Sequence, residues 1–168
     1  MASRSDLLFD AAMSIKYHRR RGTFLERASG LISACILLSG AGAFASVVGD
    51  QSELAKLLTL FVAVMGIIQI VFHTDQCAAE HKGWLRRWTE LLKEIERTPS
   101  PSPQQLQRWN DTKLDIEGEC VGEMRALQED CYNRTMAALN LQGMPTRLRW
   151  WHRLFMQVYS FENGFQGT

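Results

Sequence analysis

Charge is absent from Gly30 to Gly49, and between Leu54 and Phe72 only Lys56 carries any. Proline is scarce as well. None of the four occurs before Pro99, so no proline interrupts a helix in the first half of the chain. The four cysteines, Cys35, Cys77, Cys120 and Cys131, form no C-x-x-C pair. They read as free thiols behaving as small apolar residues in a reducing cytoplasm. No nucleophile motif, phosphate loop or dinucleotide fingerprint occurs, which argues against an enzyme and against a cofactor. A net charge of +1 gives no reason to expect a nucleic-acid partner. With the two apolar stretches set aside, too little of the 168 residues remains for an enzyme core of ordinary size.

What is present is a pair of membrane-length segments. At ~1.5 Å of rise per residue a helix over 30–49 spans ~30 Å, the hydrocarbon thickness of a bilayer. The second segment, 54–72, follows after Asp50-Gln51-Ser52-Glu53, a connection too short for a translocated domain. Lys56 lies near one end, where its stem reaches the headgroups. Lys16, Arg19, Arg20, Arg21 and Arg27 flank the first segment, and Lys82, Arg86 and Arg87 follow the second. The positive-inside rule therefore places both termini in the cytoplasm. Two alternatives stand beside this reading. Ala43-Phe44-Ala45 is an A-x-A pattern of the kind found at signal-peptide cleavage sites, although a long N-terminal region precedes it and a second span follows. The segments also admit a soluble bundle, given a mean hydropathy of −0.17, but soluble helices show a polar face every turn and 30–49 has only scattered Ser and Gly.

Along the chain, Ser5 and Asp6-Leu7-Leu8-Phe9 predict a capped amphipathic helix over 1–29, ending in the basic His18-Arg19-Arg20-Arg21. That cluster either touches anionic lipid or only sets topology. Beyond Phe72 the pattern turns amphipathic, with His81, Leu85, Trp88, Leu92 and Ile95 on one face, so the second span is expected to continue as one rod to the turn Thr98–Pro103. Ser102, Pro103 and Gln105 make an N-cap, a first-turn proline and a capping box. The helix that follows carries Leu106, Trp109, Ile116, Cys120, Met124, Leu127 and Cys131 toward Leu141, with Gly118 to Gly122 as its weak point. The two helices of 73–142 should pack as an antiparallel hairpin. The tail, 143–168, holds Arg147, Arg149, Trp150, Trp151 and Arg153, and suits either the membrane interface or docking on the cytoplasmic helices or a neighbouring subunit.

Three groups of residues invite a functional reading. His73, Cys77 and His81 recur at four-residue steps with metal-ligand chemistry, but no fourth ligand lies nearby and packing accounts for them equally. Asp115, Glu117, Glu119 and Glu123 scatter around a helix as a solvated acidic surface. In the second span Lys56, Thr59, Ala63, Gly66, Ile70 and His73 form a stripe, with Gln69 at its edge. The first span offers Ser39 with Ala43, Ala41 with Ala45, and Gly42 with Ser46. In lipid such small residues let helices approach closely, so the stripe serves either hairpin packing or, in an oligomer, a gated lumen. The interface candidates outside the spans are His81, Leu85, Trp88, Leu92, Trp109, Ile116 and Leu127, and the membrane-surface candidates are Arg19, Arg20, Arg21, Arg147, Arg149, Trp150, Trp151 and Arg153.

Several of these residues resemble the SLATT domain, a two-span helical module of bacterial conflict systems. The similarity lies in Tyr17-His18-Arg19-Arg20-Arg21 with Phe24, in Ala79-Glu80-His81 with Trp84, Leu85 and Trp88, in Ile116-Glu117, and in Cys131-Tyr132-Asn133. It covers roughly residues 10 to 141. Relatives carry prolines after the Ile-Glu pair, where this chain has Gly118-Glu119-Cys120-Val121-Gly122. The resemblance implies a membrane effector, silent until a sensor protein or a nucleotide second messenger signals infection, which then opens pores or disrupts the inner membrane. The expected fold is thus an all-α membrane protein: a transmembrane helical hairpin at 30–72, a cytoplasmic antiparallel hairpin and a C-terminal amphipathic helix, assembled as a homo-oligomer in the bacterial inner membrane. A membrane-anchored adaptor and a phage-type holin are the rival readings.

Overall fold

The computed structural model describes residues 3–49, 52–120, 124–141, 146 and 148–159. Among them it is all-helical, with α1 at Arg4–Val48, α2 at Ser52–Phe72, α3 at Thr74–Arg97, α4 at Pro103–Glu119, α5 at Arg125–Ala138 and α6 at Trp150–Phe155. Two stretches, Arg4–Val48 and Glu53–Arg97, are long and apolar enough to cross a membrane.

The helix ends follow local chemistry, with three departures from the sequence reading. The start of α1 is capped by Ser3, not Ser5. The Ser3 hydroxyl accepts the Asp6 N–H at 3.2 Å, and the Asp6 carboxylate accepts the Ser3 N–H at 3.0 Å. The rod expected to run from the second span is broken at His73, whose φ of 42° lies in the left-handed region before α3 resumes at Thr74. The single helix expected to reach Leu141 is two helices. α4 ends at Glu119, with Cys120 extended as its cap, and α5 starts at Arg125. The capping box of α4 matches expectation: Ser102 Oγ accepts the Gln105 N–H at 3.3 Å, and Gln105 Oε1 accepts the Ser102 N–H at 2.9 Å.

The chain divides into two compact units. The first comprises residues 1–21 and 81–168. Its main core joins Leu7, Ala11 and Ile15 of α1, Trp88, Leu91 and Ile95 of α3, and Trp109 and Ile116 of α4. Four-residue spacing puts the α1 set on one face, and three- and four-residue spacing does the same for α3. Leu85 and Leu92 are only half-buried at the edge of that core. A second cluster gathers Tyr17, Ala126, Leu127, Cys131 and Met156. Burial at both clusters is the main source of this unit's stability, at ~1.5–3 kcal/mol for each large apolar side chain. Polar ties brace it. The Arg4 guanidinium donates to the carbonyls of Ile95 and Thr98, each at 3.0 Å at best, and so satisfies the open C-terminal end of α3. Trp109 Nε1–H donates to Glu94 at 3.2 Å, and Lys113 pairs with Asp10.

The second unit, residues 22–80, holds the last part of α1, all of α2 and the start of α3. From residue 29 onward the buried or half-buried positions along α1 are Ser29, Ile32, Ser33, Ile36, Ser39, Gly42, Ala43 and Ser46, and along α2 they are Ala55, Leu58, Val62, Met65, Gly66, Ile68 and Gln69. Both sets recur mainly at three- and four-residue steps, the spacing of a packed helical seam. The two helices touch at Gly42, where an added Cβ would lie 3.2 Å from Leu58, and at Ser33, whose hydroxyl accepts Gln69 Nε2–H at 3.4 Å. The opposite faces are bare. Leu37, Leu38, Phe44, Leu60 and Ile70 are each at least 63% exposed.

Candidate functional site

Two places gather the residues singled out in the sequence: the face of α2 beside its seam, and the junction of α1, α3, α4 and α5 in the first unit. On α2, Thr59 and Ala63 are exposed, and Thr59 Oγ1–H is satisfied by the Ala55 carbonyl at 2.8 Å. An added Cβ at Gly66 would meet nothing within 4 Å. Gln69 belongs to the seam instead, through Ser33. The exposed stripe positions 56, 59 and 63 are thus offset by one residue, about 100° around the helix, from positions that pack against α1, whereas Gly66 is half-buried. On α1 the pairs Ser39 with Ala43 and Gly42 with Ser46 lie in the seam, whereas Ala41 and Ala45 are exposed. Ser46 Oγ–H donates back to the Gly42 carbonyl at 2.8 Å. At the end of α2 the left-handed His73 is exposed, and the hydroxyl of the following Thr74 is buried without a hydrogen-bond partner. A strained residue beside an unsatisfied hydroxyl marks the α2–α3 break as a costly conformation.

In the first unit the residues of the basic cluster part company. Arg19 is exposed. Arg20 forms an ion pair with the buried Asp130, which also accepts from Arg134 Nε–H at 2.7 Å. Burial pushes the Asp130 carboxyl up, but the two guanidinium groups outweigh it and hold the carboxyl below the usual range. Arg21 donates to the Gln157 carbonyl. His18 is 4% exposed and turns inward, its Nδ1 lying 2.9 Å from Nδ1 of His81. Both rings pack against Trp84, with centroids 5.5 and 5.1 Å away, and Tyr17 meets the edge of each. Burial and then the neighbouring His81 push the His18 imidazole down to about 4. The Tyr17 hydroxyl accepts the Met124 N–H at 2.9 Å, tying α1 to the start of α5.

His73, Cys77 and His81 do not assemble a metal site. No group of three or more His, Cys, Asp or Glu suited to an ion occurs among the described residues. Of the expected interface residues, His81, Trp88, Trp109, Ile116 and Leu127 are buried. Glu117 and Glu119 are exposed, as expected of an acidic surface, although Glu119 pairs with Arg87.

The tail docks on the first unit rather than standing off from it. Asn133 grips Thr146 at both ends, its Nδ2–H donating to the Thr146 carbonyl at 2.7 Å and its Oδ1 accepting the Thr146 N–H at 3.0 Å. Met156 and His152 are buried, and Met156 packs against Tyr17, Leu127 and Cys131. The Trp151 and His152 rings meet at a tilt of 52°, with centroids 3.7 Å apart. Arg149, Trp150 and Arg153 point outward, together with Phe155, Val158 and Tyr159; Arg147 lies outside the described residues.

The sequence reading missed two arrangements. The His18–His81 pair joins residues 63 apart, and its only local signal was a histidine on the apolar face of each of two helices. The α2 seam was invisible because its members are as apolar as their neighbours. Comparisons with protein-family models, with curated proteins and with solved structures return no match.

Proposed function

We propose that this chain is a membrane effector of a bacterial antiphage or conflict system, which spans the inner membrane as a helical hairpin with both termini cytoplasmic and permeabilises it as a homo-oligomer once activated. The observation that carries this reading is the exposure of the apolar stretches: only 6% of each most apolar window is buried. A core helix of a soluble protein would be mostly buried, and two bare apolar helices in water would cost far more than a domain's net stability. Lipid is the solvent that removes that cost. The α1–α2 register supports the hairpin, and the flanking Lys and Arg support its orientation.

The mechanism that fits best begins with a signal received by the first unit, from a sensor protein or a nucleotide second messenger. It passes through α3 to the break at His73 and turns α2. Thr59 and Ala63, which are exposed, and Gly66, where a side chain would have space among the described residues, are then the residues that meet a second copy and line a lumen. The outward Arg149, Trp150 and Arg153 suit the headgroup level, with tryptophan rings at the interface and guanidinium groups on phosphates. Of the residues that carry the SLATT resemblance, Trp84, Trp88 and Ile116 belong to the first unit's main core, Tyr17 and Cys131 to its second cluster, and His18 and His81 pack against Trp84.

The test is membrane potential, read with a voltage-sensitive dye in bacteria expressing the intact protein with and without phage challenge. Depolarisation only after challenge supports a gated effector. Depolarisation without challenge favours a holin-like leak. No depolarisation in either condition, with the protein in the membrane fraction, favours the adaptor, a reading to which the first unit's self-contained core lends weight. For the adaptor, exchange of both spans for an unrelated hairpin preserves function.

A further inference from the structure

The break between α2 and α3 carries two costs, and a continuous helix removes both. His73 holds a φ of 42°, a conformation that crowds its Cβ against the backbone. Thr74 is 9% exposed and buries its hydroxyl without a hydrogen-bond partner. Elsewhere Thr59, Thr89, Thr112 and Thr135 each donate to the carbonyl four residues earlier, at 2.7–3.0 Å. For Thr74 that carbonyl belongs to Ile70, on the other side of the break. With His73 in the right-handed region, the Ile70 carbonyl comes within reach of Thr74 Oγ1–H and the left-handed residue is gone.

The broken form has support of its own. Asp75 stands in the first turn of α3, where a carboxylate suits the positive end of a helix, and the His73 carbonyl accepts the Cys77 N–H at 3.0 Å. The break also lets two sets of residues be covered at once, Leu58, Val62, Met65 and Gln69 in the seam, and Thr74 with Ala78 beyond it. At ~100° per residue, a continuous helix would point Thr74 and Ala78 at least ~140° away from the middle of the seam, so one neighbouring helix cannot cover both sets. Among the described residues of the second unit that neighbour is α1. Each form therefore satisfies what the other leaves open.

We propose that His73 is a two-position switch. Left-handed, it keeps α2 in register with α1; right-handed, it joins α2 and α3 into one helix and turns the seam away from α1. The seam is the part that gives way. In lipid, Leu58, Val62 and Met65 gain no hydrophobic drive from packing on α1, and Gln69 reaches Ser33 only at 3.4 Å. α3 is held further along by Trp88, Leu91 and Ile95 in the core of the first unit. Resting on the effector reading above, the switch supplies the step at which a signal carried by α3 becomes a turn of α2.

The experiment uses the full chain in lipid nanodiscs, with Cys35, Cys77 and Cys120 replaced by serine and the fully buried Cys131 kept. Spin labels at Glu53→Cys and Glu80→Cys, both exposed positions, report the distance across the break. One continuous helix separates these two backbone positions by ~40 Å, and a break shortens the distance. The parent and His73→Gly are expected to show the shorter distance, and His73→Ala, which resists the left-handed region, to shift toward the longer one. In a second set without labels, a Gly42→Cys/Leu58→Cys disulfide, placed where the helices touch, should form readily in the parent and several-fold more slowly with His73→Ala. Equal distances in the parent and His73→Ala, or equal disulfide formation, overturn the switch. So does a shift in His73→Gly that matches the one in His73→Ala, because the lost imidazole and not the backbone would then be the cause. A parent distance already at ~40 Å overturns it without any variant at residue 73. Neither readout involves depolarisation, so a failure of the switch is distinguishable from a failure of the effector reading.

Discussion

Asp130 carries the densest polar arrangement in the chain, and its contribution is electrostatic. It is 4% exposed, receives Arg20 from α1 and Arg134 from its own helix, and has no apolar way of being satisfied there. Asp130→Asn keeps the volume and removes the charge, leaving two guanidinium groups without their counter-ion. We expect a loss of about 2 kcal/mol, below the full value for a buried pair because Arg20 is 30% exposed on its side chain. Its pH signature has the same sign as that of His18, whose pKa is also lowered, but lies in a lower window. A carboxyl held below 3.8 contributes stability at neutral pH that is lost only as the solution is acidified past that value. Denaturant unfolding of both proteins at pH 7 checks the magnitude, and equal midpoints would show that Arg20 and Asp130 merely sit together. Gly66 makes the contrasting case. Nothing lies within 4 Å of where its Cβ would be, so Gly66→Leu should shift the stability of the single chain by no more than about 0.5 kcal/mol. If that face meets a second copy, the same change should cut depolarisation several-fold, and unchanged depolarisation would remove Gly66 from the lumen.

The helices show which instructions are local enough to read without a structure. Ser102, Pro103 and Gln105 act within one turn, so the α4 cap was legible residue by residue, and Ser102→Ala is expected to cost about 1 kcal/mol in thermal unfolding of the full chain. The same logic placed the α1 cap two residues late, because Ser3 and Ser5 both precede acidic or apolar residues and only geometry decides that Asp6 closes the box on Ser3. Gly118 and Gly122 marked the weak point after α4, but whether a helix bends or stops there depends on tertiary ties such as the Tyr17 bond to Met124, which no spacing encodes. The α2 seam was missed by one residue for a different reason. In an all-apolar helix, burial leaves no polar trace, so small residues drew attention to 59, 63 and 66 while 55, 58, 62, 65 and 69 do the packing. His73 was expected to be an ordinary member of a continuous rod. Its φ of 42° suits glycine better than histidine, and His73→Gly should stabilise the broken form by about 1 kcal/mol. A drop in unfolding temperature would instead show that the imidazole makes contacts worth more than the strain.

Across the whole chain, the separation of apolar from charged sequence is what the membrane reading has to explain, and it makes a geometric demand that any soluble reading does not. If 30–49 and 54–72 cross a bilayer, the connection between α1 and α2 must lie on one side and residues 3–21 with 81–159 on the other. Single cysteines at Glu53 and Ser100, both exposed, report these two places. They are best introduced after Cys35, Cys77 and Cys120 are replaced by serine, while Cys131 is kept because it is fully buried and burial raises its thiol further from reactivity. With a membrane-impermeant maleimide, Glu53→Cys should label in intact spheroplasts and Ser100→Cys only in inverted vesicles. The two labelling patterns are coupled, because a hairpin cannot be moved at one end alone. Labelling of both from the same side would mean that the apolar helices do not traverse the bilayer, and it would return their exposed faces to an interface with protein. Labelling of Ser100→Cys from outside and Glu53→Cys from inside would keep the hairpin but invert it, against the Lys and Arg asymmetry, and would put the first unit beyond the reach of the cytoplasmic messenger proposed above.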